Sequence, residues 1–331
     1  MDENPDLQQA LAGVVFHHLD AEKGEGIELA EEFEIKGYPT YVAINAEGET
    51  ISRWAGYDDA ASFIKTLAQA VADPTTIEEK RARYEAEPTL EDAVTLAEYH
   101  ESRNEYKDTV KHYESAGEMT GPEGGFEYER FIAYRWGYEE EAFGIDDVRA
   151  AADQAMDSGR LSDKQFLRLA RLMSMADDDE AEWSVAPYIE RALAATESNE
   201  DPDLENERRK VLIEQALRVT GDEARALELA LETRSEGWEE DPGELNEFAW
   251  WCFENRINLE QAEELARKGV ELASDGGEKA MVLDTLAELV FLRGDNEEAV
   301  ALIRQAMEQE PENEYYQEQL VKFGGEPEGS M

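Results

Sequence analysis

One cysteine, Cys252, is all that the 331 residues contain. A single thiol excludes from this sequence an intramolecular disulfide, a Cys-X-X-Cys redox pair and a multi-cysteine zinc site. Positive charge is also scarce: 31 Lys and Arg stand against 80 Asp and Glu, a formal net charge of −49. A field of that sign repels nucleic acid and anionic membrane surfaces wherever it faces them. No run approaches 18 consecutive apolar residues, and the acidic start Met1-Asp2-Glu3-Asn4-Pro5 has neither a basic leader nor an apolar core. As written, the chain is expected to stay in the cytoplasm; a periplasmic or secreted location is the expectation only if the true start lies upstream. What is present suffices for a fold, with 41% hydrophobic residues and 6 Trp.

The acid is spread rather than gathered. Residues 1–75 hold 15 acidic and 4 basic side chains, and residues 76–331 hold 65 and 27, so both parts carry a similar negative density. That pattern is a solubility or salt adaptation of the whole surface, not one acidic tail. Cys252 sits in Trp250-Trp251-Cys252-Phe253, an apolar stretch of a helical pattern, and reads as a packed, slow-reacting thiol.

The first 73 residues have an α/β rhythm. Pro5 to Ala12 predicts a short helix, Val14 to Leu19 a strand, Glu25 to Phe33 a helix, Thr40 to Asn45 and Thr50 to Trp54 two further strands, and Ala60 to Val71 a helix after the cap-like Asp58-Asp59. Gly37-Tyr38-Pro39 interrupts the second helix, because proline disfavours helical geometry in the residue before it. Beyond Asp73-Pro74 no convincing strand appears. Amphipathic stretches follow one another instead, pairing as 89–102 with 104–116, 126–139 with 145–158, 162–176 with 183–196, 204–219 with 222–235, 243–256 with 259–273 and 278–293 with 295–309; 312–323 stands alone. Helix after helix with short links is the rhythm of a helical-hairpin solenoid. Its clearest internal register sets Ala249, Phe253, Ala262, Ala266 and Gly269 against Leu286, Val290, Ala299, Ile303 and Ala306, 37 residues on.

In the last hairpin Leu286-Ala287, Val290, Ala299, Ile303, Ala306 and Pro311 fall on the large-small, packing and terminal-proline positions of a tetratricopeptide repeat (TPR), which it resembles. Residues 243–273 resemble the same repeat, and 89–116, with Leu96-Ala97 and Tyr106, resemble it more distantly. The resemblance implies a superhelix whose concave face grips peptides or partner domains. The Lys and Asn clusters that clamp acidic peptide tails in some members have no clear equivalent, and the net charge disfavours such a ligand.

The front resembles the second half of a thioredoxin-like domain, on Val15-Phe16-His17-His18-Leu19-Asp20, the run Leu29 to Thr40 with Gly37-Tyr38-Pro39-Thr40, Asn45-Ala46-Glu47-Gly48-Glu49, and Gly56-Tyr57. The resemblance implies a cis bond before Pro39 and a peptide-groove remnant at Tyr38, Pro39 and Thr40. The first strands and Cys-X-X-Cys of that family are missing, which implies either an amino-terminally shortened sequence or a non-redox remnant. With its central strand gone, Val14 to Leu19 is expected to be weakly held while the 40–54 hairpin stays ordered.

Other chemistry is thinly represented. His17 and His18, adjacent on the expected strand, point one inward and one outward. His100 and His112 lie on successive expected helices and could approach, with Glu98, Glu101 and Glu114 nearby in sequence. Asp177-Asp178-Asp179-Glu180 reads as an acidic loop without calcium-loop spacing, and Gly121 to Gly125 lacks the Gly-Lys-Ser/Thr of a phosphate loop. The sequence therefore points to an α/β thioredoxin-like partial domain (1–73) followed by an all-α TPR-like helical-hairpin solenoid, with divergent repeats over 75–240, repeats with a terminal helix over 241–323 and a flexible tail over 324–331. Its expected role is a protein-protein interaction module that takes a protein or extended peptide, with no catalytic residue, cofactor or metal. Two alternatives stand: a thiol-disulfide oxidoreductase whose active half, and redox-substrate proteins, belong to a longer form, and a structural helical scaffold.

Overall fold

The computed structural model describes residues 4–21, 23–57, 59–121, 124–176, 183–199 and 201–326. Contacts divide the chain into two compact units, residues 1–184 with 194–197 and residues 185–193 with 198–331. The first contains α1 (Pro5–Leu11), α2 (Glu25–Glu32), β1 (Thr40–Ile44), β2 (Thr50–Ala55), α3 (Ala60–Ala72), α4 (Ile77–Ala86), α5 (Leu90–Glu101), α6 (Tyr106–Thr120), α7 (Glu127–Glu139), α8 (Ile145–Asp157) and α9 (Asp163–Ala176). After α10 (Ala186–Ala195), the second continues with α11 (Pro202–Glu214), which runs into a π-helical turn at Gln215–Thr220, then α12 (Glu223–Leu231), α13 (Pro242–Asn255), α14 (Leu259–Leu272), α15 (Gly277–Leu292), α16 (Asn296–Gln309) and α17 (Glu314–Lys322). Among the described residues beyond β2 there is no strand.

Acid, amide and hydroxyl side chains close many of the helix ends. Asn4, Asp59, Thr89, Asp222, Asp241, Asp295 and Asn313 each accept a backbone N–H of the helix they precede. Thr76 and Glu79 form a reciprocal box at α4. These side chains satisfy donors that the helix leaves open, and carboxylates there also meet the positive end of the helix dipole.

In the first unit, β1 and β2 form an antiparallel two-stranded sheet with Tyr41 opposite Trp54 and Val42 opposite Arg53. Tyr41 stacks on Trp54 at 5.4 Å, and Phe63 of α3 meets the Tyr41 ring edge-on at 4.9 Å. Leu7 of α1 joins Phe63 and Leu67 beneath them. The next strand residue points the other way. Arg53 is buried there and donates to the carbonyls of Phe33, of Glu34 (2.9 Å) and of Ser102 after α5 (3.1 Å). Lys80 of α4, equally buried, donates to the carbonyls of Ile51 (3.0 Å), Asp73 (2.9 Å) and Thr75 (2.5 Å). The α/β segment is thereby tied to the first helices of the array by cations that bind carbonyl oxygen.

The expected strand at Val14 to Leu19 does not form. Val14 turns in toward Leu7 and Phe63, but Val15 is 100% exposed and Phe16 and Leu19 are exposed as well. A strand requires a neighbouring ladder for its N–H and C=O groups, and the sheet contains only β1 and β2. His17 and His18 are consequently both exposed rather than one in and one out.

The second unit has one large core. Phe248, Cys252, Ala262, Ala266, Leu283, Leu286, Ala287, Val290, Ala299, Ile303, Ala306 and Leu320 all belong to it. Its burial corrects the register of the first helices. Leu245, Phe248, Ala249 and Cys252 match Leu283, Leu286, Ala287 and Val290, a spacing of 38, so Ala249 pairs with Ala287 and Cys252, not the half-buried Phe253, pairs with Val290. In the second helices Ala262, Ala266 and Gly269 do match Ala299, Ile303 and Ala306 at 37. The difference lies in the turns: left-handed Arg256 is followed by Ile257 and Asn258 before α14, whereas left-handed Gly294 is followed by Asp295 alone before α16. Gly269 lets α14 close on α15, since a Cβ there would sit 3.0 Å from Val282 Cγ1.

Replacing Arg53 by Met leaves the carbonyls of Phe33, Glu34 and Ser102 without their donor. Removing a buried donor costs about 1–3 kcal/mol for each group stranded. Urea unfolding followed by Trp fluorescence should show Arg53→Met losing about 3 kcal/mol or more; an unchanged midpoint would show the joint to be dispensable.

Candidate interaction sites

The residues expected to form a peptide-groove remnant lie at the entry to β1. The Tyr38–Pro39 bond is cis, and Tyr38 is exposed. Thr40 Oγ1 donates to the Gly37 carbonyl at 2.7 Å, and the Pro39 carbonyl accepts from Gly56 N at 2.8 Å. Thr40 pairs with Ala55. The three residues are contiguous and accessible, but no further functional side chain converges on them in the described structure.

His100 and His112 do meet. Their rings stack at 5.3 Å and 7°, Tyr84 packs edge-on against His112, and His100 Nδ1 lies 2.5 Å from Glu105 Oε2. The carboxylate is Glu105, not Glu98, Glu101 or Glu114. Burial, and then the neighbouring His100, lowers His112 to a pKa of about 4, so the pair is a packed joint between α5 and α6. Among the described residues no group of three or more His, Cys, Asp or Glu is placed to hold a metal ion. Cys252 is fully buried and burial pushes its thiol up to about 12, as its apolar neighbours imply. The Asp177–Glu180 run lies outside the described residues, as do Pro122 and Glu123 of the Gly121–Gly125 segment.

Two features escaped the sequence reading. In the first unit, Glu98 and Glu101 on the last turns of α5 and Glu129 on α7 gather around Tyr113 of α6. Tyr113 donates its hydroxyl to Glu101 Oε2 at 3.3 Å. Desolvation, reinforced by Glu101, raises Glu98 to about 7. Desolvation also raises Glu101 to about 7, with Glu129 adding to the shift and the Tyr113 hydrogen bond opposing it. Glu129 is raised by the same burial, and Tyr113 well above its ordinary value by burial and the three carboxylates. Each carboxylate is half-buried, so water reaches it from one side while protein excludes it from the other. Lys65 and Arg168 lie near enough to offset part of the charge without making an ion pair with it.

In the second unit the two helices of each hairpin differ. The second helices are closed electrostatically: Arg267 of α14 bridges Glu263 (2.7 Å) and Glu298 of α16 (2.6 Å), and Arg293 bridges the same two carboxylates at 2.9 and 2.7 Å. The first helices carry Asn246, Asp284, Thr285 and Glu288 in buried positions, and α17 adds Gln319. Tyr315 donates its hydroxyl to Asp284 Oδ2 at 3.1 Å and accepts from Gln319 Nε2, while Lys322 reaches Glu288. Burial, and next the charge of Glu288, brings the Asp284 carboxyl up to about 6 against the Tyr315 hydrogen bond. The sequence signal for this set is the 38-residue spacing that places Asn246 and Asp284 at equivalent positions.

No family model matches the chain, and no curated protein does. Among solved structures, the apo form of the quorum sensor NprR from B. thuringiensis is similar over 80% of this chain and 75% of that one, with 12% identity and a TM-score of 0.45. A chain of the APC/C hetero-tetramer Cut9–Hcn1 is similar over 79% of this chain, with 13% identity and a TM-score of 0.39. This chain spans about half (49%) of the length of the latter. The helical-hairpin architecture rests on the packing of α13 with α14, of α15 with α16 and of α14 on α15.

The Glu101 carboxyl has a definite pH signature. With its folded value near 7 and its unfolded value near about 4.3, the native state binds the extra proton, so this group costs stability as pH rises through that window. His112 acts in the opposite sense, costing stability as pH falls from about 6.5 toward 4. Comparing Glu101→Gln with the unchanged chain cancels His112. The variant should be more stable by about 1 kcal/mol at about pH 8, after allowance for solvent screening, and lose that advantage by about pH 5. A pH-independent difference in thermal unfolding would contradict the assignment.

Proposed function

We propose that this protein is a protein-binding helical scaffold of the TPR type, carrying at its front a thioredoxin-like segment that serves as a binding element rather than as a redox centre. The observation that carries the reading is the repeat of the second unit: two successive hairpins share four buried positions in the first helix, three in the second and a left-handed residue where the first helix ends. Repeating hairpins align their first helices in a row, which forms an extended surface for a polypeptide. The order α2, Tyr38–Pro39, β1, β2, α3 supports the thioredoxin-like reading of the front, with Tyr38, Pro39 and Thr40 as its accessible edge. The one thiol in the chain is buried and holds its proton, so exchange with a substrate disulfide has no nucleophile here.

The charge of −49 favours partners that present basic groups over nucleic acid or acidic tails. The Glu98–Glu101–Glu129 group is a second place where carboxylates stand without an ion-pair partner of their own.

Photo-crosslinking in cells tests the reading. A photoreactive side chain at Trp250 on α13 or at Glu98 on α5 should yield discrete adducts with other proteins. The same group at Glu264 on α14 or Glu308 on α16, both exposed on second helices, should yield few. Absence of protein adducts from every position would contradict a binding role.

A further inference from the structure

The first helices of the second unit leave an unusual account of hydrogen bonds open. Asn246 on α13, Asp284 on α15 and Gln319 on α17 are each only 8% exposed, and Asn246 Oδ1, Asp284 Oδ1 and Gln319 Oε1 have no hydrogen-bond partner. Buried polar atoms are almost always paired, and a row of unpaired ones asks for an explanation. The atoms are not scattered: Asn246 and Asp284 sit at equivalent positions of consecutive repeats, α13 packs on α15, and Tyr315 and Gln319 of α17 are linked to Asp284 by hydrogen bonds. All three open atoms are oxygens. Beside them Glu288, 3% exposed, adds a second carboxylate with Lys322 as its cation.

From this we infer that the first-helix face of the second unit is a docking site for a basic polypeptide segment, whose guanidinium or ammonium groups donate to Asp284, Asn246 and Gln319. The open oxygen acceptors select a ligand rich in N–H, and the carboxylates select positive charge. Arginine fits best, because its planar fork makes two bonds at once to a carboxylate. Tyr315 acts as the cover. Its side chain is 44% exposed, and its hydroxyl occupies Asp284 Oδ2 in the free protein; swinging outward it opens Asp284 to the incoming cation. The contrast with the second helices supports the choice of face, since Arg267 and Arg293 already neutralise Glu263 and Glu298 there. Burial, which raises the Asp284 carboxyl to about 6 although the Tyr315 hydrogen bond and Lys322 oppose it, agrees with an acceptor cut off from water. This inference rests on the scaffold reading and narrows it to one face and one ligand chemistry.

The test uses the full chain and a fluorescein-labelled peptide of alternating Arg and Gly, followed by anisotropy at about 0.15 M salt, with a Glu-Gly peptide of equal length alongside. The Arg peptide should bind and the Glu peptide should not. Asp284→Asn, which keeps the shape of the side chain, should weaken binding about tenfold or more. Glu264→Gln removes the same unit of charge from an exposed site on α14 and should change binding by less than about twofold. Tyr315→Phe, which removes the hydroxyl from Asp284, should tighten it. Equal losses for Asp284→Asn and Glu264→Gln would reduce the binding to the diffuse field of the protein and overturn the inference. So would no binding by the unchanged chain, a preference for the Glu peptide, or a dimer that Asp284→Asn dissociates, which would give the face to a second copy. Adducts from Trp250 alongside any of these failures would leave the scaffold reading intact and remove only the basic-segment assignment.

Discussion

Arg53 is the side chain on which the first unit depends. It rises from the middle of β2, is buried, and donates to backbone carbonyls before β1 and after α5. Lys80 repeats the arrangement between α4, β2 and the residues after α3, and Arg135 of α7 reaches the Leu172 carbonyl of α9 at 2.8 Å. In a chain with more than twice as many acids as bases, the buried Arg53 and Lys80 donate their hydrogen bonds to carbonyl oxygen, while Arg135 divides its own between the Leu172 carbonyl and the Glu139 carboxylate at 2.7 Å. A carbonyl satisfies a donor without bringing a second full charge into the interior. The cation in turn relieves loop carbonyls that no strand or helix can pair.

This constraint decides what the rest of the acid can do. Carboxylates left over from the ion pairs serve as helix caps, as solvated surface, as the half-buried groups at Glu98, Glu101 and Glu129, or as the buried Asp284. The last class is held away from its preferred ionisation by its surroundings. Such groups cost stability in the free protein, and a cationic partner would recover that cost on binding. The same physics therefore links the packing of both units to a preference for basic ligands.

The helical elements were legible because amphipathic period and caps act locally: Asp59, read as a cap in the sequence, accepts the Ser62 N–H at the start of α3. The hairpin of β1 and β2 was legible from two short strand runs, Thr40 to Asn45 and Thr50 to Trp54, separated by four residues that include Gly48. The segment Val14 to Leu19 was misread because its apolar run reports a tendency to pair, whereas a strand exists only if a neighbour is there to pair with. The repeat register was misread by one in its first helix because Phe253 looks like a core residue. Burial shows that the smaller Cys252 fills the place of Val290, and Asn258 in the longer turn restores the count. The polar group around Tyr113 was not legible, since acid is so common in this sequence that no spacing of Glu or Asp stands out, and the group around Asp284 is signalled only once the 38-residue register sets it opposite Asn246. Only the packing shows which carboxylates lost their water.

The claim that buried cations weld the α/β segment to the helices beside it makes the first unit one cooperative body. Native-state hydrogen exchange under increasing urea measures this directly. The amides of residues 41–43 and 51–53 and those of residues 94–98 in α5 should merge onto one opening with the same free energy and the same denaturant dependence. Exchange of the hairpin through a separate, lower-energy opening while α5 stays protected would contradict the account.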